Sequence, residues 1–111
     1  MNESQKRAHF RLEFPPSERP LLKMGTFELV VLDVSEGGCS VEAGNSAMTF
    51  FGHAGIRIVG SCHFTNGEKI EVEGEVLRVI SPGRLAIRFS KGPSFARMMA
   101  EHRRIRTKYR T

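Results

Sequence analysis

A chain of 111 residues with 17 Lys and Arg against 12 Asp and Glu carries a formal net charge of +5. Its 40% hydrophobic and 26% charged content is that of one globular domain, which excludes a disordered tail. No apolar run approaches the ~20 residues of a spanning helix and the opening MNESQKRAHF lacks the apolar core of a secretion signal, so a cytoplasmic protein is expected. Cys39 and Cys62 have neither a disulfide-framework nor a metal-ligand spacing, which predicts reduced thiols and no metal site.

Residues 1–11 open the chain with Lys6, Arg7 and Arg11 against Glu3. A first strand over about His9–Phe14 stops at Pro15-Pro16, and Leu21–Met24 is positioned to continue it after the break. Thr26–Val34 is rich in β-branched and aromatic residues and ends at the turn formers Ser35-Glu36-Gly37-Gly38. Cys39, Val41 and Ala43 then alternate with Ser40 and Glu42. Gly44–Gly55 has no clear period, and Ala47–Phe51 reads either as a helical turn or as a hydrophobic loop. Ile56, Ile58, Cys62 and Phe64 share one strand parity. Asn66-Gly67 offers a tight hairpin turn, because both residues tolerate positive φ. Ile70, Val72 and Val76 alternate with Glu71, Glu73 and Glu75, a wet acidic face; Gly74 marks a bulge before the apolar phase passes to Leu77 and Val79. Ser81-Pro82-Gly83 turns the chain into Leu85, Ile87 and Phe89.

A helix over 93–110 closes the sequence. Ser94 is placed as its N-cap, and Phe95, Met98, Met99, His102, Ile105 and Tyr109 fall on one stripe. Six short strands with local turns and no intervening helical pattern predict an all-β fold with a C-terminal helix, a small six-stranded antiparallel β-barrel. The charge sits at the ends. From Arg97 onward six basic residues face one acid, Glu101, while residues 12–96 are slightly acidic.

Two motifs carry recognition chemistry. Arg7 and Arg11 stand four residues apart ahead of a strand, and each guanidinium can donate two parallel hydrogen bonds to a phosphate or to the O6 and N7 edge of guanine. The spacing recurs at Arg84/Arg88 and Arg106/Arg110, so it says little alone. Asp33, the only aspartate, ends a well-patterned strand, where a carboxylate can accept the N1–H and N2–H of a guanine; Ser35 and Gly38 follow in an Asp-x-Ser-x-x-Gly run. Ser35 can donate to a phosphate or base while it caps the turn. Gly38 permits positive φ or close approach of backbone to a flat ligand. The bland counterparts are a solvated basic arm and an ordinary turn.

Taken together, an Arg-x-x-x-Arg arm, a strand and Asp-x-Ser-x-x-Gly in a six-stranded chain ending in a helix resemble the PilZ domain family. The resemblance spans nearly the whole chain and keeps both motifs in the family's order; Lys6 stands where a further arginine is often found. It implies one domain over 1–111, with a mobile basic arm at 1–11, a barrel at 12–90 and the helix at 93–110. It implies a bacterial, non-enzymatic receptor for cyclic di-GMP. Arg7 and Arg11 would grip guanine edges and phosphates, Asp33 and Ser35 would hold a guanine from its other edge, and Gly38 would shape the floor. Closure of the arm would relay the signal to an unidentified effector protein, in motility or biofilm regulation, and no cofactor is expected.

Other chemistries have less behind them. His9, His53, His63 and His102 are scattered, and Cys62 and His63 point to opposite strand faces, which leaves no nucleophile–base or metal constellation. The alternative is a small basic barrel binding RNA or DNA through its Arg-rich helix. It lacks the aromatic platform such barrels use, having no Trp and a single Tyr, so no stable nucleic-acid complex is expected.

Overall fold

The computed structural model describes residues 11–109. Among them lie β1 (Leu12–Glu13), β2 (Leu21–Met24), β3 (Phe27–Val34), β4 (Gly38–Glu42), α1 (Asn45–Phe51), β5 (Arg57–His63), β6 (Lys69–Ser81), β7 (Arg84–Lys91) and α2 (Phe95–Lys108), with one 3₁₀ turn at Pro16–Glu18. Neighbours run β3-β2-β5-β6-β7-β4, all antiparallel, and β4 pairs back onto β3. The expected six-stranded barrel is therefore closed, which removes the free strand edges an open sheet would expose. β1 is one strand more. Since β4 covers Val30–Val34 from one side, β1 and β2 must lie end to end along the other edge of β3, as one strand interrupted at Pro15-Pro16.

The inward residues of the barrel, among them Leu22, Leu29, Val31, Val41, Ile58, Val72, Val76 and Leu85, are at most 1% exposed. Burying each contributes roughly 1.5–3 kcal/mol. Phe14, Phe64, Met98 and Ile105 extend that core. α1 resolves the ambiguity of the 44–55 connection: Ala47 is buried, and Phe51 meets Phe27 edge-on at 5.2 Å.

Two local expectations change. The hairpin after β5 is closed by Phe64 and Glu68, whose backbones bond at 2.8 Å, so three residues form the loop; only Gly67, at φ 93°, is left-handed, and Asn66 is not. The register between β6 and β7 shifts at Glu73/Gly74, as a bulge at Gly74 predicts. Leu77 and Val79, however, do not re-enter the core but are 47% and 41% exposed. The reason is geometric, since β5 ends its pairing at Arg57/Glu75, the residues just ahead of it bond only as far as Val76, and beyond Val76 the strand pairing of β6 is with β7 alone.

α2 begins as expected, with Ser94 Oγ accepting from the Arg97 N–H at 3.1 Å. Its inward face is rotated relative to the predicted stripe. Met98, Glu101 and Ile105 are buried, while Phe95 is 53% exposed and Tyr109 45%. Glu101 and Glu18, 1% and 0% exposed, are held by bases of the helix itself. Arg104 bridges them, at 2.6 Å to Glu101 Oε2 and 3.1 Å to Glu18 Oε1; Lys108 Nζ lies 2.7 Å from Glu18 Oε2. Thr65 Oγ1 donates to Glu18 at 2.6 Å, and Arg97 reaches Glu68 at 2.6 Å while covering the Phe64 ring at 4.2 Å. Much of the basic helix is thus spent on docking to the 3₁₀ turn and the β5–β6 hairpin.

Candidate functional site

Strand alternation alone would point Asp33 into the barrel. Leu29 and Val31 face the core, and a regular strand would send Asp33 after them. Instead the β3–β4 register shifts between Val31 and Asp33. The inward phase passes to Val34, 1% exposed, and Asp33 turns outward opposite Ser40. A bulge re-aims one side chain for the loss of a regular ladder step; here it avoids burying an unpaired carboxylate, which would cost several kcal/mol.

The outward carboxylate is gripped at both oxygens. Arg11, immediately ahead of β1, donates from Nη1 to Asp33 Oδ1 at 3.0 Å, and Ser40 Oγ donates to Oδ2 at 2.7 Å. β1 delivers Arg11 because Glu13 is the ladder partner of Asp33 and Leu12 that of Val34. The Arg11 side chain is 51% exposed, so this ion pair is worth only ~0–1 kcal/mol and exchanges easily for a stronger acceptor.

The turn that follows is closed by its own polar groups. The Ser35 N–H donates to the Gly38 carbonyl at 2.8 Å, the Ser35 hydroxyl donates to the same carbonyl at 3.3 Å, and it accepts the Gly37 N–H at 3.2 Å. Positive φ at Gly38, one of its two expected uses, is not observed; among the described residues such angles occur only at Gly25, Gly55, Gly67 and Gly83. Its role is close approach, with a twist: a Cβ there would lie 2.2 Å from the Ile87 carbonyl oxygen of the neighbouring strand. Across the ladders Gly38 faces Arg88, Arg88 faces Glu75, and Glu75 faces Arg57. Those three side chains, with Gly74 and Phe89, border an open hollow of about 210 Å³.

Four of the five expected site residues, Arg11, Asp33, Ser35 and Gly38, therefore gather at one end of β3 and β4, whereas Arg7 lies outside the described residues. Sequence reasoning missed Ser40 and Arg88. Ser40 gave no signal, since it reads as one more polar residue of an alternating strand, and Arg88 appeared only as half of a recurrent spacing. Chemistry based on a nucleophilic thiol finds no support, because burial pushes Cys62 up to about 12 and raises Cys39 as well. Among the described residues no group of three or more His, Cys, Asp or Glu could hold a metal ion, and no helix is long and apolar enough to cross a membrane.

Comparison with known proteins adds the family. The search of curated proteins gives no match. Among solved structures the chain is similar to the PilZ domain of YcgR from Escherichia coli, described as a PilZ domain with c-di-GMP. The TM-score is 0.61 and the sequence identity 17%, over 94% of this chain and 97% of that one, so the likeness is one of fold. A family model described as the PilZ domain matches residues 5–104, a span that takes in the Arg7/Arg11 pair, the closed barrel, the Asp33–Gly38 turn and most of α2; the chain belongs to the PilZ domain family.

Proposed function

We propose that this chain is a receptor for cyclic di-GMP, acting without catalysis and passing the signal to an effector protein. The observation that carries the proposal is the meeting of Arg11 and Asp33, 22 residues apart in sequence and 3.0 Å apart in space, beside a turn that Gly38 packs closely against β7. Membership of the family and a fold shared with a domain described with that ligand support it.

Cyclic di-GMP presents two phosphates and two guanines, a set that calls for several guanidinium groups and one carboxylate. Asp33 accepts the N1–H and N2–H of a guanine; Arg11, exchanged from its weak pair with Asp33, and Arg7, four residues earlier, take phosphate oxygens or the O6 and N7 edge. Ser35 keeps the turn in shape and offers its hydroxyl to the ligand. We assign the whole chain to one module, with residues 1–11 as a basic arm, 12–90 as the barrel and 93–110 as the helix. Ordering an arm costs ~1–2 kcal/mol per residue in backbone entropy, which charge-assisted hydrogen bonds of ~1.5–3 kcal/mol each offset over a few residues. The closed arm presents a new surface to the effector. The alternative, nucleic-acid binding through α2, loses ground because Arg97, Arg104 and Lys108 serve internal carboxylates.

Titration calorimetry tests the reading. The chain should bind cyclic di-GMP saturably, and Arg7→Ala, Arg11→Ala and Asp33→Ala should each weaken binding by roughly tenfold to a hundredfold or more, as the loss of one or two charge-assisted bonds requires. Absence of heat, together with unchanged NMR shifts around Arg11 and Ser35, would refute it.

A further inference from the structure

We propose that Ser40 is a positioning residue for ligand recognition: it fixes the plane of the Asp33 carboxylate so that a guanine edge meets two acceptors already in place. The inference rests on the cyclic di-GMP reading and deepens it.

Ser40 and Asp33 are ladder partners at the step where the β3–β4 register shifts, so the bulge that turns Asp33 outward also sets it against this hydroxyl. Ser40 Oγ donates to Asp33 Oδ2 at 2.7 Å, and Ser40 is 9% exposed. Asp33 and Arg11 are exposed to 18% and 51%. Of the two groups that hold the carboxylate, one is buried in the sheet and the other is at the surface and exchangeable. The terminal torsion of an aspartate is a broad, soft rotor, so without a fixed donor the carboxylate would swing among orientations and a ligand would have to order it on binding.

The lone pairs match as well. An ionised carboxylate has about four acceptor directions, two per oxygen. Ser40 takes one on Oδ2 and Arg11 one on Oδ1 until it exchanges to the ligand, so each oxygen keeps at least one. Guanine brings two parallel donors, N1–H and N2–H, one for each oxygen. Ser40 leaves a direction free on each oxygen for the base, and its grip holds the carboxylate plane, in which those directions lie, in one orientation. A preorganised acceptor of this kind gains affinity by cutting the ordering cost of binding.

The test compares wild type, Ser40→Ala and Ser40→Thr by calorimetry with cyclic di-GMP and by thermal melting. Ser40→Ala should raise the Kd severalfold to about tenfold, the cost of ordering one side chain on binding, and lower the melting temperature by no more than the loss of one hydrogen bond accounts for. Ser40→Thr, which keeps the hydroxyl and suits a strand, should bind like wild type. A role in strand packing alone would lower the melting temperature of the alanine variant by much more than one hydrogen bond accounts for. That result overturns the inference, as does unchanged affinity in Ser40→Ala or an equal loss in Ser40→Thr. In each of those cases wild-type binding stands, and with it the receptor reading. If wild type itself fails to bind, the reading is lost and the inference with it.

Discussion

At the residue scale, the site turns on positions whose side chains, or lack of one, are dictated by the neighbouring strand. Gly38 is the clearest case. A methyl group there would sit 2.2 Å from a backbone carbonyl oxygen, an atom that moves only if β7 moves. Gly38→Ala should therefore force β4 away from β7 at the site and cost roughly 1–3 kcal/mol, as overpacking does; urea denaturation measures it, and a variant as stable as wild type would contradict the geometry. The Asp-x-Ser-x-x-Gly run was legible in the sequence because its residues are near neighbours. The bulge that makes Asp33 usable was not. Leu29, Val31 and Asp33 share one parity in the sequence, and nothing local says that the phase slips before the aspartate.

At the scale of elements, alternation made the strands legible, down to the broken first strand and the bulge at Gly74, because one face of each must be apolar. It failed for β6 beyond Val76, where apolar residues run on after the neighbouring strand has ended. The helix was legible in extent but not in facing. Glu101 reads as a solvated acid among arginines, since the second carboxylate that Arg104 bridges, Glu18, lies 86 residues away. Of these two carboxylates, Glu18 has a pH signature. The hydrogen bond from Lys108, then that from Thr65, hold the Glu18 carboxyl at about 2 against an ordinary 4.5. A carboxyl depressed in the folded state stabilises it fully above pH 4.5, and that contribution is lost as pH falls from there through about 2. Melting temperatures of wild type should fall across that window more steeply than those of Glu18→Gln. The substitution itself should cost about 1.5–3 kcal/mol at neutral pH, because the hydrogen bonds of Arg104 and Lys108 to a charged acceptor are weakened while Arg104 keeps Glu101. Parallel pH profiles would show that Glu18 does not hold the helix.

For the whole molecule, the excess of positive charge is less available than the composition suggests. Arg97, Arg104 and Lys108 are committed to Glu68, Glu101 and Glu18, while Arg103 and Arg106 of the same helix are exposed. Closure of the barrel also joins distant positions into one unit. Cys39 in β4 and Cys62 in β5 are both buried, with thiols raised by burial. They should resist an aromatic disulfide reagent in the native protein and react together only on global opening. Cyclic di-GMP at a hundred times its Kd should slow that labelling about a hundredfold if opening and closing are fast relative to the chemistry. One thiol reacting rapidly in the native state would mean that the barrel opens locally.

The pairing of β1 with the end of β3 has a consequence for how the arm works. Leu12 and Glu13 are pinned to Val34 and Asp33, so the chain ahead of them is tethered at the rim of the site. Whatever its path, a leash of four residues gives the Arg7 Cα a reach of at most about 14 Å from that of Arg11. Short tethers hold a group at an effective concentration on the order of millimolar. In the proposed receptor the second guanidinium is thus supplied to the first from within the same molecule, and inserting residues between Arg7 and Arg11 should dilute it and weaken cyclic di-GMP binding.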